Sequence, residues 1–187
     1  MAALILALAV ALAGVAGEAR PNEGEALSPQ QQAYVLWQQG YLLHLFGRYP
    51  EAIGHFQQSI DIHPTAENHT YLGWSLSMLS QFDAAIAECK KAIALDPDYG
   101  NPYNDIGVYL IDLGRPQEAI PWLEKAAKAK RYCCYQFPHF NMGRVFMDQG
   151  RLVKAKQAFE RALAIDPEYE AARRGLEIIK DHGLTTL

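Results

Sequence analysis

The sequence is poor in the arrangements that usually carry chemistry. Its six histidines form no His-x-x-x-His pair and no HExxH element, so the helical zinc spacing is missing. It has no glycine-rich phosphate loop and no G-x-S-x-G nucleophile element, which argues against nucleotide and serine-hydrolase chemistry. A formal charge of −4 argues against nucleic-acid binding, which calls for a basic face. Its paired lysines, Lys90/Lys91 and Lys125/Lys128, are scattered and read as solvated. Cysteine is scarce: three residues, an odd number that cannot all pair within the chain. The one long apolar run, MAALILALAVALAGVAG, is too short and too alanine-rich to read as a membrane span. No cysteine follows it, so a lipoprotein processing site is not expected.

What the sequence does have is a repeat. Gly40, Gly73, Gly107 and Gly143 stand 33, 34 and 36 residues apart. Each is followed three residues later by a large apolar residue: Leu43, Leu76, Leu110 and Phe146. Each is followed twelve residues later by an alanine: Ala52, Ala85, Ala119 and Ala155. Three units close on Pro64, Pro97 and Pro167. Self-similarity at this period marks stacked helix–turn–helix units. The Gly and Ala positions are where two helices cross closely. Gly47, Gly114 and Gly150, with Ser80 in the second unit, stand where the first helix of each pair should end. The second helix carries an apolar stripe, such as Ile53/Phe56/Ile60 and Ile86/Cys89/Ile93.

These residues resemble the tetratricopeptide repeat (TPR) family. The motif is carried by QGYLLHLFGRYPEAIGHFQQSIDIHP, LGWSLSMLSQFDAAIAECKKAIALDP, IGVYLIDLGRPQEAIPWLEKA and MGRVFMDQGRLVKAKQAFERALAIDP. The resemblance implies an all-α, right-handed superhelical solenoid of four repeats and a C-terminal capping helix. Residues 1–19 are expected to be a signal peptide or apolar segment, 20–28 a linker and 29–182 the repeat domain. The units fall at about 33–65, 66–99, 100–135 and 136–169, with the capping helix at about 168–182. Leu176 and Ile179 should cover the last repeat, and Gly183 should stop that helix. The chain departs from the family pattern in three places. Cys89 replaces an aromatic, the third unit lacks its closing proline, and KAKRYCCYQFPHF inserts two residues before the fourth. The third-to-fourth junction is therefore expected to be bent or looped.

In this family the concave face is built by the first helix of each pair. Residues three before, one after and four after each glycine should point there. They are Trp37, Tyr41 and His44; Thr70, Trp74 and Ser77; Asn104, Val108 and Ile111; Phe140, Arg144 and Met147. Tyr34 and Phe137 extend the two ends. This surface is rich in aromatics and poor in charge. It lacks the Lys, Asn and Arg set of the family's carboxylate clamp, for which only Arg144 is available. A peptide or protein partner with an apolar or aromatic segment suits it. The alternative is that some of these aromatics pack between first helices or are covered by the N-terminal linker.

The expected function is a non-enzymatic interaction scaffold, without cofactor, metal or nucleic acid, acting in envelope assembly. The apolar run and the small residues to Ala16 or Ala19 suggest export to the periplasm or secretion, with an uncleaved membrane anchor as the alternative. Ser28 should cap the first helix with Pro29 at its first position. Cys89 reads as a small hydrophobe. Adjacent Cys133 and Cys134 are either small residues in an aromatic turn or the centre of a thiol-based sensor or enzyme. His69 and His139 read as satisfied packing histidines, and the Asn68-His69-Thr70 sequon as chance.

Overall fold

The computed structural model describes residues 26–181. The expected signal segment, most of the linker, His182 and Gly183 lie outside them. Nine helices occur among the described residues: α1 (Pro29–Leu45), α2 (Tyr49–Ile62), α3 (Ala66–Ser77), α4 (Phe82–Leu95), α5 (Asn101–Asp112), α6 (Pro116–Ala126), α7 (Gln136–Asp148), α8 (Leu152–Ile165) and α9 (Glu170–Asp181). No strand is present there; the one bridge joins Tyr99 to Arg131.

Local chemistry sets the helix ends. The Ser28 Oγ accepts from the Gln31 N–H at 3.3 Å while the Gln31 side chain accepts from the Ser28 N–H at 2.8 Å. This reciprocal box satisfies two backbone donors at the start of α1. The turns after α1, α5 and α7 pass through Gly47, Gly114 and Gly150 at φ of 73°, 72° and 68°. Ser80 takes the same left-handed backbone at φ 59°, a conformation an L side chain adopts at a cost.

The helices pair as α1/α2, α3/α4, α5/α6 and α7/α8, and α9 packs on α7 and α8. Consecutive first helices touch one another, α1 to α3, α3 to α5 and α5 to α7, while the second helices do not. The array therefore curves with the first helices on its inner side, an all-α superhelix of the kind expected. Ala52, Ala85, Ala119 and Ala155 are fully buried at the crossings. Gly107 shows why its position excludes a side chain: a Cβ there would stand 2.5 Å from Leu123 Cδ2. Ile179 is buried and Leu176 packs beside it on the Ala155–Phe159–Ala172 cluster, so α9 closes the end of the last repeat.

The third-to-fourth junction departs from the others. α6 stops at Ala126, and the chain tightens through bonds from Lys128 N–H to the Lys125 carbonyl and Ala129 N–H to the Ala126 carbonyl. The other second helices run three residues further in the same register. The freed segment folds back: the Arg131 N–H donates to the Asp98 carbonyl and the Gly100 N–H donates to the Arg131 carbonyl, both at 2.9 Å.

Candidate peptide-binding groove

The inner face begins with a ladder of rings. Tyr34 and Trp37 stack at 5.8 Å, and Trp37 and Tyr41 at 5.6 Å with planes 2° apart. They lie one turn apart on α1, which brings their rings into register. Tyr71 of α3 meets both edge-on, at 5.2 Å from Trp37 and 5.4 Å from Tyr41. Trp74 continues the line, 5.9 Å from Tyr71 and 4.1 Å from His44. Edge and offset contacts of this kind add to the area they bury. Tyr34 remains 57% exposed and Trp74 40%, so the ladder presents large apolar area to solvent. Trp37 and Tyr34 also open on a cavity of about 320 Å³ edged by His63, Thr65 and Glu67.

The expected groove residues divide by depth. Tyr34 and Trp74 are exposed, and Trp37, Tyr41, Val108, Ile111, Phe140, Arg144 and Met147 are half-buried. His44, Thr70 and Asn104 are buried and form an underlayer instead of open contact surface. The reason is hydrogen bonding within the solenoid. His44 Nδ1 pairs with Ser75 Oγ at 2.9 Å, and Thr70 Oγ1 donates to the Ala66 carbonyl at 2.7 Å. Asn104 Oδ1 accepts from Asn141 Nδ2 at 3.2 Å, tying α5 to α7. Burial holds the His44 imidazole below its ordinary value. Phe140 leans on Phe159 and Tyr169 at 5.8 and 5.2 Å, and Phe137 meets Tyr169 at 5.7 Å.

Two features of this face were not expected. Tyr71 lies two residues before its glycine, in line with Asp105 and Asn141 two before theirs; that shared offset was the available signal. Burial pushes the Asp105 carboxyl up to about 7, against a hydrogen bond from Asn104. The second lies at the third-to-fourth junction, where a loop was expected but its long-range contacts were not. The Arg131 guanidinium reaches Glu67 at 2.7 Å, bonds Asp96, and lies 4.1 Å above the Tyr99 ring. Tyr132 covers Gly100, where a Cβ would stand 2.5 Å from it. The next two residues, Cys133 and Cys134, are joined as a disulfide.

The remaining candidates resolve individually. Cys89 is fully buried and burial drives its thiol well above the ordinary value, so it acts as a small hydrophobe. Asn68 is buried and donates to Ser59 Oγ at 2.8 Å, which removes it as a glycosylation acceptor. His69 is satisfied: its Nδ1 pairs with Glu88 Oε2 at 2.7 Å. His139 is a correction, because its Nδ1 is buried with no partner. The residue in the register of Glu88 is Ala158, which offers no acceptor. Among the described residues no group of three or more His, Cys, Asp or Glu could hold a metal ion, and no helix is long and apolar enough to cross a membrane.

Comparison with known proteins supports the architecture. Two tetratricopeptide repeat models match, over residues 71–132 and 137–169. Type IV pilus assembly protein PilF of Pseudomonas aeruginosa is 27% identical over 169 residues, 88% of this chain and 66% of that protein. Tetratricopeptide repeat-containing protein trd-1 of Caenorhabditis elegans is 26% identical over 145 residues, 73% of this chain. The chain spans only 18% of trd-1, and 14% of the Hsp70-Hsp90 organizing protein of Triticum aestivum, to which it is 30% identical over 82 residues. Among solved structures, PilW, a widely conserved type IV pilus biogenesis factor, superposes with a TM-score of 0.74 at 21% identity, over 81% of this chain and 70% of PilW. The structure of Pseudomonas aeruginosa pilF gives 0.70 at 21%, over 84% and 79%. At that identity these structures speak to fold alone. With four units in register, first helices lining the inner curve and repeat models matching about half of its length, the chain belongs to the tetratricopeptide repeat family, whose members are protein-interaction scaffolds.

Proposed function

We propose that the chain is a non-enzymatic scaffold that binds an apolar or aromatic segment of a partner protein in its concave groove, and that it serves assembly in the cell envelope. The observation that carries this reading is the ring ladder Tyr34–Trp37–Tyr41–Tyr71–Trp74, exposed at both ends and bordered by an open cavity at Tyr34 and Trp37. Aromatic residues anchor interfaces because they bury large area with little rotamer entropy. The envelope assignment draws on the apolar N-terminal run and on similarity to PilF.

The test is Trp74→Ala. Partner binding should weaken by about 2 kcal/mol or more, the hot-spot scale, with circular dichroism unchanged. A variant that melts early instead would identify Trp74 as a packing residue through its contacts with His44 and Tyr71. A stable variant that binds as tightly as wild type would move the interaction away from the groove. The disulfide between Cys133 and Cys134 supports a second, thiol-based reading. Thiol titration with and without reductant, paired with a binding assay, separates the two: on the scaffold reading, reduction leaves binding unchanged.

A further inference from the structure

The second, third and fourth repeats place corresponding residues around one outer crevice, and they fill it differently. The crevice lies over the first helix of a repeat, between its second helix and the second helix of the repeat before it. In the second repeat, His69 is four residues before its glycine, Glu88 fifteen after and Lys91 eighteen after. These three form a closed set: Glu88 takes His69 on one oxygen and Lys91 on the other, each at 2.7 Å. In the third repeat the same offsets hold Tyr103, Trp122 and Lys125. There the Trp122 ring fills the space, 6.2 Å from Tyr103 and with Lys125 Nζ 4.8 Å from its centre.

In the fourth repeat the offsets hold His139, Ala158 and Arg161. The imidazole and the cation are kept, and the carboxylate between them is gone. A cavity of about 340 Å³ opens there, with His139, Ala158 and Arg161 among its walls and Met142 and Phe146 as an apolar side. Ala127 and Lys128, just past the early end of α6, line it as well. Lys128 and Lys154 bring two further cations against one acid, Glu124. Among the described residues none of Lys128, Lys154 and Arg161 has a carboxylate partner. Burial, reinforced by the Arg161 charge, holds the His139 imidazole below its ordinary value. Uncompensated like charges around a concave, partly apolar site favour an anion from outside.

We propose that this cavity binds a carboxylate carried on a short apolar group, the carboxylate taking between His139 and Arg161 the place that Glu88 takes between His69 and Lys91. The apolar group lies against Met142 and Phe146. The site is on the outer side of the solenoid, separate from the groove, so it stands or falls independently of the partner-binding reading.

The experiment is calorimetry on the full chain with octanoate, acetate and octanol. Octanoate should bind at least about tenfold more tightly than either fragment. Ala158→Glu restores the internal carboxylate and should abolish octanoate binding while preserving or raising the melting temperature. Arg161→Ala, an exposed change that leaves the fold intact, should weaken octanoate by about tenfold, and Lys90→Ala, outside the cavity, should not. A leucine-ended tripeptide and its C-terminal amide identify the source. Octanoate binding without peptide binding supports a free acid; peptide binding lost on amidation supports a chain end. Absence of octanoate binding to wild type at millimolar concentration, equal binding of octanol, or undiminished binding by Arg161→Ala would overturn the proposal.

Discussion

The second and fourth repeats carry the same glycine, the same following alanine and a histidine in the same register, yet their interiors are built in opposite ways. In the second, the residue sixteen after the glycine is Cys89 and its neighbour Glu88 reaches out to pair with His69. In the fourth, the corresponding residues are Phe159 and Ala158. One repeat has a small centre and a polar seal; the other has a large centre and an open edge. Because each unit packs chiefly on its neighbours, the family pattern fixes where helices cross without fixing how each crevice is filled. The variation is where this chain differs from a generic array.

The largest effect should come from the centres. Phe159 is buried between two glycines, with Gly143 and Gly175 both so close that a Cβ on either would stand 2.5–2.6 Å from the ring. Phe159→Ala should cost about 3–5 kcal/mol, because the rigid helix crossings cannot collapse into the space. Cys89→Ala removes one atom from an equally buried site and should cost about 1 kcal/mol. Urea denaturation of both variants checks the contrast. Equal losses would mean that the two centres carry the same packing weight despite their residues.

A smaller effect is expected at the glycines themselves. Alanine in a helix interior gains about 1 kcal/mol over glycine, while overpacking costs about 1–3 kcal/mol. At Gly143 the new Cβ would meet Phe159 Cε1 at 2.5 Å, so the cost should win. At Gly73 it would meet the Ala85 carbonyl oxygen at 3.1 Å and Cys89 Sγ at 3.3 Å. There the two contributions should nearly cancel. Thermal unfolding should therefore rank Gly143→Ala well below Gly73→Ala, and the reverse order would break the comparison.

These elements show which parts of the molecule could be read from the sequence. The helix pairs follow from local signals: the crossing glycines and alanines, the Ser28 cap, and a turn so demanding that Ser80 adopts a left-handed backbone in place of glycine. The inner face follows from helical periodicity, which selected Trp37, Tyr41 and Trp74 but passed over Tyr71, since it leans sideways between first helices. The fold-back of Arg131 was not legible, because its partners Asp96 and Glu67 lie thirty-five and sixty-four residues away. His69 and His139 look alike in sequence; only their neighbours on the facing helix, Glu88 and Ala158, decide that one is satisfied and the other is not.

The smallest effect concerns charge and pH. Burial pulls the Glu88 carboxyl upward, but hydrogen bonds from His69 and Lys91 outweigh it and leave it below its ordinary 4.5. A carboxyl depressed in the folded state adds stability that is fully present above 4.5 and is lost as pH falls through the folded value. Glu88→Gln keeps the shape and a hydrogen-bonding oxygen but removes the charge. It should cost about 1 kcal/mol at neutral pH, a value limited by the solvent that still screens Lys91. The difference from wild type should shrink in acid, where the wild-type carboxyl is protonated and the glutamine is unaffected. Urea midpoints across that range read it directly. In the fourth repeat, Ala158→Glu should import the same dependence, since it places a carboxylate between His139 and Arg161. A wild-type–Glu88→Gln gap that stays flat with pH would mean that Glu88 seals its crevice by shape alone, and the contrast between the two repeats would reduce to volume.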